Sequence, residues 1–122
     1  MLNISGNNII TLTRGDTFEV PLFINAGTEL NPIRYILRND ESLHLGLMEA
    51  NQLYENKILE KIYDKDDFNE NYDVMISFDR CDTINLLEGT YYFEIKLFRT
   101  VDDDSTELVN TVISKTKFVL VN

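Results

Sequence analysis

The 122-residue sequence contains a single histidine, a single cysteine and no tryptophan. A lone cysteine excludes a disulfide within the chain, and His44 and Cys81 together are too few to form a zinc site. General acid–base catalysis usually depends on a histidine that a carboxylate orients. We therefore predict no catalytic residues, no metal, no cofactor and no enzymatic activity. His44 is expected to be a solvent-facing strand residue, and Cys81 a passive thiol because Asp79 and Asp82 flank it.

Basic residues are also scarce: the sequence has 11 Lys and Arg but 21 Asp and Glu, which gives a net charge of −10. Binding to nucleic acid requires a basic surface, so nucleic acid is excluded as a partner. The segment 1–6 has neither the basic start nor the apolar centre of a signal peptide, and no apolar run approaches the roughly 20 residues of a membrane span. We expect a protein made in the cytoplasm, without a signal peptide and without a membrane partner.

The chain also lacks internal repeats, low-complexity tracts and a linker that would divide it. Hydrophobic residues make up 43% and charged residues 26% of the sequence, a globular composition. A chain of this length buries roughly two thirds of its unfolded surface when it folds, which is enough for a core without disulfides. We predict one domain that covers residues 1–122.

The clearest strand lies near the C-terminal third of the chain and follows a leucine-rich turn. Tyr91, Phe93, Ile95 and Leu97 alternate with more polar residues, which is the period-2 pattern of a strand with one buried face. Gly89 precedes Tyr91 by two residues. This arrangement is close to the tyrosine corner of immunoglobulin-like domains, in which the tyrosine hydroxyl bonds back to nearby backbone.

Shorter segments that we interpret as extended, most of them from alternation and 8–13 from its β-branched residues, occur along the rest of the chain. They lie at 8–13, 16–25, 33–37, 43–49, 57–63, 72–78, 108–113 and 115–121. Three alternatives stay open: a helix at 43–54, one continuous strand through a bulge at Ser114, and a short helical turn at 82–87 capped by Asp82. The pattern predicts an all-β, immunoglobulin-like antiparallel β-sandwich of about 7–9 strands.

Several motifs invite a functional interpretation, and each has a structural one. The tripeptide Arg14-Gly15-Asp16 matches the integrin-binding motif by letter, but it connects two apolar runs and is expected to be a structural turn. The acidic segments 64–67 and 102–104 are expected to be solvated loops. Calcium, which needs six or more oxygen ligands, is the alternative for them. Four tyrosines are candidates for exposed rings: Tyr35, Tyr54, Tyr63 and Tyr92.

Five segments, in this order and spacing, carry a family resemblance. They are Leu12–Phe18, Leu43–Met48, Ile58–Tyr63, Asp82–Lys96 and Thr111–Phe118. Together they resemble small phage and prophage proteins of Gram-positive bacteria, among them the N-terminal domain of the phage baseplate upper protein. The resemblance implies a virion structural or adaptor module of the tail or baseplate, without catalytic residues, made in the bacterial cytoplasm and placed in the virion. Its partners would be other virion proteins or further copies of this chain.

A mechanism of docking follows from this resemblance as a hypothesis. A sandwich can pair an exposed strand edge with a partner or present an apolar face to it. Pro21 cannot donate a ladder hydrogen bond, so its strand is expected at an edge or bulge, and the last strand, 115–121, is the second candidate edge. The competing hypothesis is an immunoglobulin-like module that binds carbohydrate or a cell surface.

Overall fold

The computed structural model describes residues 3–4, 9–28, 30–103 and 105–122. These residues form eight strands, one short helix and two 3-10 turns at Tyr54–Asn56 and Lys65–Asp67. The strands are β1 (Asn3–Ile4), β2 (Ile10–Thr13), β3 (Phe18–Leu22), β4 (Glu41–Met48), β5 (Leu59–Asp64), β6 (Val74–Phe78), β7 (Gly89–Asp102) and β8 (Ser105–Val121), and the helix is α1 (Arg80–Thr83). The prediction of an all-β chain with about 7–9 strands is confirmed.

The strands form two sheets. The larger one has the order β1-β2-β8-β7-β4-β5 and curls into a half-barrel, while β3 and β6 form a separate antiparallel pair. Neighbours in the larger sheet are antiparallel except β2 and β8, which run parallel. The prediction of a purely antiparallel fold was therefore wrong at this one pair.

Strand β7 lies between β8 and β4 in the larger sheet. Tyr91, Phe93, Ile95 and Leu97 are buried, while the residues between them are partly exposed. The Tyr91 hydroxyl donates a 2.7 Å hydrogen bond to the carbonyl of Leu87. This is the bond predicted from the tyrosine-corner pattern, and it closes the turn that leads into β7.

The core lies between the two sheets, and both contribute aromatic rings to it. The ring centroids of Phe18 and Phe78 are 5.2 Å apart, and Phe78 is also 5.2 Å from Phe118. Phe18 and Phe78 pair across the small sheet, whereas Phe118 comes from β8 of the large sheet. Offset and tilted aromatic pairs at this spacing add to the stabilisation that comes from burying their surface.

Two of the open alternatives are resolved in favour of strands. Residues 43–48 form part of β4, because Leu43, Leu45 and Leu47 point into the core while β5 and β7 bond the backbone from both sides. The C-terminal segment is one strand, and its register to β7 shifts between the pairs Phe93–Thr116 and Ile95–Ile113. The predicted bulge at Ser114 lies within this interval.

The predicted helical turn at 82–87 is placed too late in the chain. Helix α1 begins at Arg80, so Asp79 is its N-cap and Asp82 occupies the third helical position. The Asp82 carboxylate accepts a 2.7 Å hydrogen bond from the Asp79 amide, as the acidic residue of a capping box does. Asp82 therefore acts within the first turn of a helix that Asp79 caps.

Candidate functional site

The Arg14-Gly15-Asp16 turn is held against the rest of the fold. The Arg14 amide donates to the carbonyl of Val121 at 2.7 Å, and the Gly15 amide donates to Thr83 Oγ1 at 2.9 Å. Gly15 has a φ of 83°, a conformation that favours glycine. The prediction of a structural turn is confirmed, since this turn ties β2 to α1.

The side chain of His44 is only 14% exposed, so the prediction of a solvent-facing histidine was wrong. His44 lies on the outer face of the larger sheet, where its ring centroid is 4.6 Å from that of Phe98 on β7. Phe98 is paired with Ser42 rather than with His44, so the aromatic contact runs diagonally across two strands. Such a contact depends on strand register, which alternation within one strand does not specify.

The residues around His44 form what we call the outer-face cluster, defined as Ser42, His44, Tyr54, Glu60, Lys96 and Phe98. Ser42 Oγ lies 2.7 Å from His44 Nε2, and His44 Nδ1 lies 3.4 Å from Glu60 Oε2. The same carboxylate oxygen is 3.3 Å from Lys57 Nζ and 3.5 Å from the Tyr54 hydroxyl. The cluster thus places a hydroxyl, an imidazole and a carboxylate in hydrogen-bonded order.

The Tyr54 ring lies against Gly46 of β4, in the space that a larger residue would fill. Lys57 Nζ is 4.5 Å and Lys96 Nζ 4.6 Å from its ring centroid, within the range of cation–π contacts. Burial, followed by the nearby Glu60 carboxylate, raises the pKa of the Tyr54 phenol. Tyr54 therefore covers the sheet as a neutral ring between two ammonium groups.

We expect Gly46→Ala to displace Tyr54. A Cβ at this position would lie 2.5 Å from Tyr54 Cε2 and 2.9 Å from Lys57 Cδ, closer than packed side chains approach. Overpacking of this kind costs about 1–3 kcal/mol of unfolding free energy, measurable by urea denaturation. In a Tyr54→Ala background the same substitution should cost much less. An equal cost in both backgrounds would contradict this role for Gly46.

The four candidate tyrosines are all partly buried, so none is a freely exposed ring. The Tyr92 ring lies 5.1 Å below Lys115 Nζ, and the Tyr35 hydroxyl bonds to the Glu41 carboxylate at 2.8 Å. Burial raises the pKa of the Tyr63 phenol, whose hydroxyl oxygen is buried without a hydrogen-bond partner in the described part of the chain. These contacts make the four rings part of the packed structure.

The acidic segments form local hydrogen bonds. Asp64 Oδ1 accepts from the Asp66 amide at 2.9 Å, and Asp67 Oδ2 accepts from the Asp64 amide at 2.8 Å, which caps the 3-10 turn there. In the second segment Asp102 Oδ1 accepts from the Ser105 hydroxyl, while residue 104 lies outside the described residues. Within the described ranges no three His, Cys, Asp or Glu residues are grouped so as to hold a metal ion. Cys81 is exposed.

An apolar groove opens between β3 and β8, and we call it the β3–β8 groove. It has a volume of about 100 Å³, and all its lining residues are apolar. They are Ile10, Val20, Pro21, Leu22, Leu45, Ile76, Phe93, Ile95 and Ile113. A second cavity of about 260 Å³ adjoins it and shares Leu22 and Ile113.

The groove stays open because neither strand beside it presents a regular edge. Pro21 of β3 lacks the N–H that a ladder needs, and the register of β8 against β7 shifts repeatedly opposite residues 93–98. On the side of β8 that faces away from β7, the described pairing covers only residues 118–121, which pair with β2. The prediction that 115–121 is an edge strand was therefore wrong for 118–121, whereas Pro21 does lie in an edge strand.

Comparison of the chain with family models, with curated proteins and with solved structures gives no significant match. None of the helices in the described part of the chain is long and apolar enough to cross a membrane.

Proposed function

We propose that this protein is a non-enzymatic structural or adaptor module of a phage or prophage virion, which acts in the tail or baseplate by docking to other proteins. The observation that carries the proposal is the β3–β8 groove. Most of its lining residues are buried core residues, and Pro21 is exposed at its rim. An apolar pocket of this kind suits a protein–protein contact in which one anchoring side chain of the partner fills it. The family resemblance of the sequence points to virion proteins as the partners.

A long connection between β3 and β4 adds a second apolar surface to the docking hypothesis. Leu30 is 93% exposed, and Ile33 and Ile36 are also exposed on this connection. The bridge between Asn25 and Arg34 joins the base of the connection, and Asn25 also lines the second cavity beside the groove. The base of the connection therefore adjoins the cavity beside the groove, and we propose that both contribute to one docking surface.

Face contacts suit this surface better than the addition of a partner strand. Strand addition needs a regular edge whose N–H and C=O groups point outward in sequence. Proline and bulges are the devices by which proteins prevent such pairing, and both border this groove. We propose that the partner inserts apolar side chains into the groove. Backbone hydrogen bonds between strands of the two proteins then contribute little to the binding affinity.

We also propose that the fold is immunoglobulin-like, of the variable type. In that fold the C, F and G strands form one sheet that C′ extends, and B and E lie in the other. The order β8-β7-β4-β5 and the pair β3–β6 correspond to G-F-C-C′ and B–E. The tyrosine-corner bond of Tyr91 falls at the start of the strand that corresponds to F. The conserved disulfide of antibody domains has no counterpart, since the chain has one cysteine.

The experiment that tests docking compares two lysine substitutions. Leu22→Lys places a charge in the groove, whereas Ile62→Lys places one at a position that is already 56% exposed on β5. Light scattering over a concentration series measures self-association. Co-purification with the proteins of the neighbouring genes measures binding to other partners. We expect a defined oligomer or complex that Leu22→Lys weakens at least about 30-fold, the effect of losing a hot spot, and that Ile62→Lys leaves intact.

Two results would contradict the proposal. One is a monomer that binds none of the neighbouring gene products. The other is an assembly that Leu22→Lys does not weaken while thermal melting shows that the variant is folded.

A further inference from the structure

The outer-face cluster has the bonding order of an activated serine. A nucleophile within hydrogen-bond reach of a base, with the base oriented by a third group, is the geometric signature of nucleophilic chemistry. Ser42 Oγ and His44 Nε2 meet this criterion at 2.7 Å, and Glu60 is the third group. All three side chains come from the neighbouring strands β4 and β5, whose register holds them in place.

The tautomer of His44 follows from its two partners. An ionised carboxylate only accepts hydrogen bonds, so the proton on the imidazole belongs on Nδ1, which faces Glu60. Nε2 then carries the lone pair, and it is the atom that contacts the Ser42 hydroxyl. Glu60 is itself held by Lys57 and by the Tyr54 hydroxyl, so the orienting group has a defined position.

From this geometry we infer that Ser42 is a nucleophilic modification site that takes an acyl group from activated esters. The Oγ atom attacks the ester carbonyl carbon while its proton passes to His44 Nε2. The new bond joins Oγ to the acyl carbon, the bond from that carbon to the leaving alkoxide or aryloxide breaks, and the proton leaves with the departing oxygen. The products are O-acyl-Ser42 and the free alcohol, with no change in oxidation state.

The sheet limits this reaction to modification without rapid turnover. Catalytic acyl transfer relies on backbone amides that stabilise the oxyanion. Ser42 and His44 lie on β4, whose backbone is bonded to β5 on one side and to β7 on the other. The five cavities described in this chain also do not include Ser42 in their lining. A stoichiometric acylation therefore agrees with a module that is not an enzyme, and it does not depend on the docking surface.

The test uses p-nitrophenyl acetate with the purified chain and locates acetyl groups by peptide mass mapping. We expect one acetyl group on Ser42 and an accompanying release of about one equivalent of p-nitrophenolate. His44 is the single histidine of the chain, so His44→Gln removes the base without leaving a substitute. It should slow acetylation of Ser42 by about 10²-fold, the lower range for loss of a general base.

Ser114 provides an internal control, because it is an exposed serine on β8, which β7 separates from β4, and no hydrogen bond to His44 is described for it. Its acetylation rate should be low and unchanged by His44→Gln, whether or not the variant loses stability. The inference is overturned if Ser42 in the native chain is acetylated no faster than Ser114. It is equally overturned if the two proteins acetylate Ser42 at the same rate.

Discussion

Replacing Val119 with proline is expected to lower the free energy of unfolding by about 1–3 kcal/mol, because it leaves a ladder acceptor inside the sheet without its donor. Val119 lies opposite Thr11 of β2 and Thr90 of β7, so it is inside the larger sheet and not at an edge. Proline removes a backbone donor and is found almost only at edges or bulges. Urea denaturation, with the slope of the transition compared between the two proteins, measures the loss.

Val119→Thr is the matched control, because it keeps the β-branched shape and the backbone donor. It should cost far less than the proline substitution. A proline variant as stable as the native chain would show that Val119 is not paired on both sides. The location of Val119 also decides how an assembly assay is interpreted: a proline variant that fails to assemble would report unfolding, and would say nothing about edge pairing.

Removing the Glu41 carboxylate is expected to cost about 3 kcal/mol. Glu41 is 2% exposed and accepts hydrogen bonds from the Tyr35 hydroxyl at 2.8 Å and from the Arg38 amide at 2.9 Å. Glu41→Ala removes the acceptor of both part-buried hydrogen bonds, and a hydrogen bond to a charged group contributes about 1.5–3 kcal/mol. Equilibrium unfolding of the variant measures the loss.

Tyr35→Phe gives the comparison for Glu41. It removes one donor and leaves the carboxylate bonded to the Arg38 amide, so about 1 kcal/mol is expected. In the double variant, Glu41→Ala and Tyr35→Phe should cost less than the sum of the two single losses, because they share one hydrogen bond. Strict additivity would mean that the bond between these side chains contributes nothing to stability.

Much of the strand content could be predicted from local pattern. Alternation of apolar residues identified β7 and β6, and the Gly89-x-Tyr91 spacing predicted the bond from the Tyr91 hydroxyl to backbone. The start of β6 was placed too early, because Tyr72 has a φ of 63° and does not extend the strand. Alternation predicts which residues face the core, but it does not specify backbone conformation at a strand end.

The outer-face cluster could not be predicted in the same way. Ser42 and His44 are two residues apart on one strand, so their proximity follows from period-2 geometry. Glu60 and Phe98 reach them only through the register of β4 with β5 and β7. The single histidine was predicted to face solvent because its own segment shows only that it points away from the core. The neighbours that cover it are 16 residues away for Glu60 and further for Phe98.

The sequence by itself determined the strand class, the buried face of β7 and the turn at Gly15, because side-chain alternation and backbone preference act between near neighbours. Tertiary structure alone decided that β2 runs parallel to β8, that Val119 is an interior residue, and that a groove opens between β3 and β8. These features depend on which distant strands become neighbours. Local periodicity does not encode that choice, because many pairings bury the same apolar faces.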